Sequence, residues 1–173
     1  MDQRTAHVFV TNEGSHSVSI LNARTGAVLQ TVGVGFPRDV AVDERAGRVV
    51  VANGAPGTVS LLDATSGAVL HTLDVGGDPD AVAVDARTGR AFVTGTGTND
   101  GLYRQLRSIG PIRAALPDDY GYVTILDTRS GRVLRTVHVG PSGTKGAAVD
   151  GHAGHAFVTN LAGNSVSMLD ARL

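Results

Sequence analysis

The chain has 173 residues, is 42% hydrophobic, and sets 15 basic against 16 acidic side chains with no polybasic stripe. A chain of this length forms one domain able to bury a core, and its balanced charge lacks the footprint of a nucleic-acid or anionic-lipid binder. There is no Cys, which excludes disulfides, thiolate catalysis, iron–sulfur clusters and thioether haem attachment, and apolar runs such as VVVA at 49–52 are too short to span a bilayer.

Aromatic residues are scarce, with four Phe, three Tyr and no Trp, while glycine reaches 23. With Val and Thr in short runs, this composition predicts many short strands joined by tight turns. The first strand-like phrase is HVFVTN at 7–12, and near-copies follow as RVVVAN at 48–53, RAFVTG at 90–95 and HAFVTN at 155–160. Their aligned valines, Val10, Val51, Val93 and Val158, are separated by 41, 42 and 65 residues, and the V-D dipeptides ending at Asp43, Asp85 and Asp150 by 42 and 65. The period is therefore about 42, with a third unit longer by 23. Repeats run over approximately 1–42, 43–84, 85–149 with an insertion at 96–121, and an incomplete 150–173.

Each unit reads as four strands. DAVAVDA at 80–86 is a small-residue first strand and RAFVTG the second, while TVSLLDA at 58–64 and VLHTLDV at 69–75 show the third and fourth. The intervening ARTG, ATSG and TRSG phrases place glycine where a tight turn needs positive φ. Such a unit cannot bury both faces alone, so units must stack. The fold class expected is all-β, a partial β-propeller of about 3.5 four-stranded antiparallel blades, with a linear solenoid as the alternative. VAV at 40–42, AVAV at 81–84 and AAV at 147–149 fit the crowded innermost position beside a central channel.

The phrases FVTN at 9–12 and 157–160, VVAN at 50–53 and SVSILNARTGAVLQTVGVG at 17–35 are similar to the YVTN-type, or YncE-like, β-propeller repeat, with the consensus tyrosine replaced by Phe or Val. The resemblance covers nearly the whole chain except about 96–121. It implies a seven-bladed ring in the complete protein and an exported, periplasmic or cell-surface location, with a signal upstream of Met1. Met1-Asp2 aligns with Val84-Asp85, and LDARL at 169–173 stops before an outer strand. The expectation is a piece of a longer propeller or an internal start, with missing blades or a homodimer covering the open ends.

The insertion, GTGTNDGLYRQLRSIGPIRAALPDDYG at 95–121, falls between second and third strands. Leu102, Leu106 and Ile109 recur at helical spacing, predicting a short amphipathic helix over 102–109 that ends at Gly110-Pro111. It reads as a lid or recognition element with Tyr103, Arg104, Arg107 and Tyr120 as contacts, or as a tolerated surface excursion.

Counting back from the aligned aspartates puts Arg38, Asp80 and Lys145 in equivalent places at the channel mouth. That column suggests a site for an anionic group between the two cations, with Asp80 as an internal salt partner. One acid between two cations repels a divalent metal, and the six histidines fall at repeat spacings that mark structural positions. No phosphate loop and no Ser–His–Asp set appears. No cofactor, metal site or catalytic residue is assigned. The functional expectation is a non-catalytic propeller module whose channel face takes a small anion, a peptide or a protein, without nucleic acid or a membrane span. The alternative is a fragment of a propeller-based hydrolase or oxidoreductase whose catalytic residues lie in other blades.

Overall fold

The computed structural model describes residues 1–97, 120–141, 143–161 and 163–172. Among them, four antiparallel sheets of three or four strands follow one another along the chain in a propeller-like series. The first sheet holds β1 (His7–Asn12), β2 (Ser17–Asn22) and β3 (Val28–Gly33). The second holds β4 (Pro37–Asp43), β5 (Arg48–Asn53), β6 (Thr58–Asp63) and β7 (Val69–Asp74). The third comprises β8 (Asp78–Asp85), β9 (Arg90–Gly97), β10 (Tyr120–Asp127) and β11 (Val133–Pro141), and the fourth β12 (Thr144–Asp150), β13 (His155–Asn160) and β14 (Ser165–Asp170). No helix of the described residues is long and apolar enough to cross a membrane.

Register repeats with the sequence. Asp43 faces Arg48, Asp85 faces Arg90 and Asp150 faces His155, and an isolated bridge from Asp2 to His7 gives the first sheet the same closing pair. The glycines of the turns after the third strands do adopt positive φ: Gly26 at 72°, Gly67 at 71° and Gly131 at 66°. Strand pairing reaches further into the insertion than the repeat alone predicts, since Gly97 pairs with Tyr120 and Thr96 with Gly121. Glycine at 97 permits this, because a Cβ there would run into the Tyr120 ring. The helix expected over 102–109, with Tyr103, Arg104 and Arg107, lies outside the described residues.

The core is divided into three layers, one between each pair of successive sheets. Phe9, Val18 and Ile20 of the first sheet pack on Val49, Val51 and Leu62 of the second. Val50, Val59 and Leu61 on the other face of the second sheet meet Val82, Ala91 and Val93 of the third. Phe92, Val123 and Ile125 then meet Ala156, Val158 and Ala171 of the fourth. Alternate residues of one strand thus serve two different layers, as the period-two geometry of a strand requires. The small first-strand residues let β8 pack against both β4 and β12. On the fourth sheet the face turned away from the third leaves Val166 63% and Met168 62% exposed, with Phe157 also exposed.

Polar side chains tie the ends of the strands, with asparagine in the first, second and fourth sheets. Asn12 Nδ2 donates to Ser17 and Ser19, Asn53 to Thr58 and Ser60, and Asn160 to Ser165 and Ser167, at 2.8–3.3 Å. The terminal asparagine of the VTN and VAN phrases therefore ties the second strand to the third. The third-to-fourth-strand turns are built on a carboxylate or its amide. Asn22 Oδ1 accepts from the backbone N–H groups of Arg24 and Thr25, Asp63 from Thr65 and Ser66, and Asp127 from Arg129 and Ser130.

Hydrogen bonds from the Ser66 and Ser130 backbone are the main reason the Asp63 and Asp127 carboxyls lie below the ordinary value of 3.8. A carboxyl depressed in the folded state contributes stability that is complete well above 3.8 and is lost as the pH falls below it. Asn22 shows that an amide oxygen fills the same role without a charge. The double variant Asp63→Asn, Asp127→Asn keeps the turn hydrogen bonds but loses the charge, and Asp63 its 3.3 Å ion pair with Arg48. It is expected to melt below the parent at neutral pH and to lose less stability between about pH 5 and pH 2, so that the two converge in acid. Thermal melts across that range check this, and an unchanged acid limb would refute it.

Candidate functional site

Three side chains at the start of successive first strands are thrown out of the ladder by β-bulges. Pairing skips between Pro37 and Asp39, between Pro79 and Ala81, and between Thr144 and Gly146. The skipped residues are Arg38, Asp80 and Lys145, the same three that the repeat places in one column. Proline at 37 and 79 cannot donate a ladder hydrogen bond, which suits a bulge. A bulge re-aims its extra side chain, and here the three converge.

Asp80 sits between the two cations. Arg38 Nη1 is 3.2 Å from its Oδ1 and Lys145 Nζ is 2.7 Å from its Oδ2. The Asp80 side chain is only 7% exposed, while Arg38 and Lys145 keep 36% and 51% of theirs open to solvent. A fourth group, Asp78, joins from two residues earlier on the same strand as Asp80, its Oδ2 lying 3.5 Å from Arg38 Nη2. The cluster thus spans the second, third and fourth sheets with two cations and two carboxylates. Asp78 Oδ1 is buried and has no hydrogen bond among the described residues.

Backbone chemistry below the cluster fixes it. Asp39 Oδ2 accepts from Val82 N–H at 2.9 Å and its Oδ1 from Val40 N–H at 2.8 Å, joining β4 to β8. Thr144 donates to Gly95 O at 2.7 Å, joining β12 to β9. Gly54 leaves the room in which Arg38 crosses to Asp78, since a Cβ there would overlap Arg38 Nε and Asp78 Oδ1.

Tyr120 stands at the same end of the third sheet but on β10, with β9 between it and β8. Its ring stacks on His138, centroids 4.3 Å apart and planes at 30°. Tyr120 is therefore a neighbour of the cluster rather than a member of it. Repeat counting does not reach Asp78, whose equivalent just before β4 is Phe36 and just before β12 is Gly143; only the three-dimensional meeting with Arg38 brings it in. Among the described residues no three His, Asp or Glu side chains are grouped to hold a metal ion.

No family model matches the chain, and no curated protein matches it by sequence. Solved structures do share its fold. Hydrazine synthase of Kuenenia stuttgartiensis is 16% identical with a TM-score of 0.70 over 95% of this chain and 46% of that one. A functionally unknown protein from Desulfotomaculum acetoxidans is 13% identical with a TM-score of 0.74 over 95% of this chain and 46% of its own. Saccharomyces cerevisiae Sqt1 is 13% identical with a TM-score of 0.70 over 97% and 42%. This chain thus spans somewhat less than half the length of each, and at these identities the likeness is one of fold: successive antiparallel sheets stacked face to face.

Proposed function

We propose that the chain is a segment of a YVTN-type β-propeller in a longer, exported protein, and that it acts as a non-catalytic binding module for a peptide or protein. The observation that carries this reading is the bulge-built cluster, in which Asp80 locks Arg38 and Lys145 in place while leaving each cation partly open. Groups held in position before contact lose less freedom on binding. Two cations balanced by two carboxylates give a lone anion little net attraction. A polypeptide segment matches better, offering backbone N–H donors to the exposed part of the Asp78 carboxylate, whose side chain is 47% open, and side chains of either sign to the rest. Further sheets of the same repeat, covering Phe157, Val166 and Met168 on one side and Val10 on the other, would complete the ring.

Panning a displayed random-peptide library against the chain tests this. Enriched peptides are expected to carry charges of both signs and to bind about tenfold or more weakly to Arg38→Ala and to Lys145→Ala, the effect of losing a charged contact worth about 1.4 kcal/mol. An absence of enrichment, or peptides indifferent to both substitutions, would overturn the proposal.

A further inference from the structure

At the opposite end of the first strands, the turns into the second strands carry a second series of equivalent side chains. These turns read DQRTAH at 2–7, DERAGR at 43–48, DARTGR at 85–90 and DGHAGH at 150–155. Their third positions are Arg4, Arg45, Arg87 and His152, basic in every copy.

The opening aspartate of each turn explains part of this series structurally. Asp2 and Asp85 take backbone and hydroxyl hydrogen bonds within their own turns and lie 3.6 and 3.8 Å from Arg4 and Arg87. The second sheet departs from the rule. Its Asp43, fully buried, still caps its own turn by accepting from Ala46 N–H at Oδ1, but its Oδ2 accepts a 2.6 Å hydrogen bond from Thr128 of the third sheet. The other repeats have Ala23, Ala64 and Ala171 where Thr128 stands. With its aspartate diverted, the Arg45 guanidinium has neither ion pair nor hydrogen bond among the described residues.

Arg45 lines a shallow cavity of about 570 Å³ that lies wide open to solvent, shared with Arg87, Val149, Asp150, Gly151 and His152. Arg87 is fixed at its wall, because Nε donates to Gly151 O at 2.7 Å across the gap between the third and fourth sheets. The His152 ring makes no hydrogen bond among the described residues. Asp150 uses Oδ1 to cap its own turn, accepting from His152 and Ala153 N–H, and leaves Oδ2 as an open acceptor on the rim.

We infer that this cavity is a binding site for a small phosphomonoester that also carries a hydroxyl group. A phosphoryl group carries up to two negative charges and spreads three oxygens tetrahedrally toward Arg45, Arg87 and His152, whereas a carboxylate carries one charge and its acceptor sites lie in one plane. Asp150 Oδ2, an acceptor, takes the hydroxyl. The site is separate from the bulge cluster, at the other end of the same strands, so each stands or falls without the other.

Titration of the chain with glycerol 3-phosphate, followed by heteronuclear NMR at fixed ionic strength, tests the inference. Saturable shifts at the turns 43–48, 85–90 and 150–155 are expected at millimolar concentration or below. Arg45→Gln, a substitution on an exposed side chain, should weaken binding about tenfold or more while leaving the remaining spectrum in place. Succinate and inorganic phosphate serve as the comparison arms, succinate having only planar carboxylates in place of a tetrahedral phosphoryl group and phosphate lacking the separate hydroxyl; both should bind more weakly. Absence of saturable shifts, equal affinity for succinate, equal affinity for inorganic phosphate, or an unchanged affinity in Arg45→Gln would each overturn it.

Discussion

Phe92→Ala is expected to cost about 3–5 kcal/mol of unfolding free energy, while Phe157→Ala, the same change at the equivalent repeat position, costs at most about 1 kcal/mol. Both residues follow Ala at the head of a second strand, as Ala91-Phe92 and Ala156-Phe157. Phe92 is completely buried and closes the layer between the third and fourth sheets against Ala156 and Val158. Removing its ring leaves a void lined by β-strand residues, whose ladder hydrogen bonds resist collapse into it. Phe157 faces away from the third sheet and is 38% exposed, so its ring leaves far less behind. Urea unfolding followed by far-ultraviolet circular dichroism measures both. Equal losses would show that the outer face of the fourth sheet is covered in solution.

A second large effect is expected at Gly95 and Tyr122, the one place where the interstrand asparagine tie is missing. Asn12, Asn53 and Asn160 face Ser17, Thr58 and Ser165 in the ladder, but in the third sheet Gly95 faces Tyr122. The two departures are coupled. A Cβ on Gly95 would lie 2.5 Å from both Tyr122 Oη and Asp78 O, so the tyrosine fits only over glycine, and its hydroxyl donates to Gly76 O at 2.9 Å. Gly95→Asn alone should cost about 2–4 kcal/mol through overpacking against backbone as well as ring. Tyr122→Thr alone should cost a similar amount through the lost ring and hydrogen bond. The double variant restores the asparagine–threonine pair of the second sheet and should lose less than the sum, with a coupling of about 1–3 kcal/mol. Strict additivity in this cycle would show that the two positions were not exchanged as a pair.

The architecture was legible because its signals are local and repeated. Alternating Val and Ala in β4 and β8, glycine in each third-to-fourth-strand turn, and the aspartate closing every first strand each state one backbone requirement, and a 42-residue period states it several times. The column Arg38, Asp80 and Lys145 followed from the same counting. What counting could not supply was direction. The bulges that lift these side chains depend on where pairing slips, and the two prolines at 37 and 79 were the only local sign of it. Asp78 stayed hidden because its role arises between sheets, in contact with Arg38, and has no counterpart in neighbouring repeats. Arg45, Arg87 and His152 were readable as a basic series, yet their turns looked purely structural. The difference between Arg45 and its equivalents lies 85 residues away from Asp43, in the hydroxyl of Thr128.

The pairing of Gly97 with Tyr120 closes the stem of the insertion with ordinary strand geometry. A flexible sequence grafted onto a closed stem enters the folding free energy mainly through loop entropy, which rises by only about 0.6 kcal/mol for each doubling of length. The sheet below therefore places almost no limit on what is carried there. This makes the junction between β9 and β10 the position at which a new sequence can be grafted, lengthened or exchanged while the layered strands beneath keep their register.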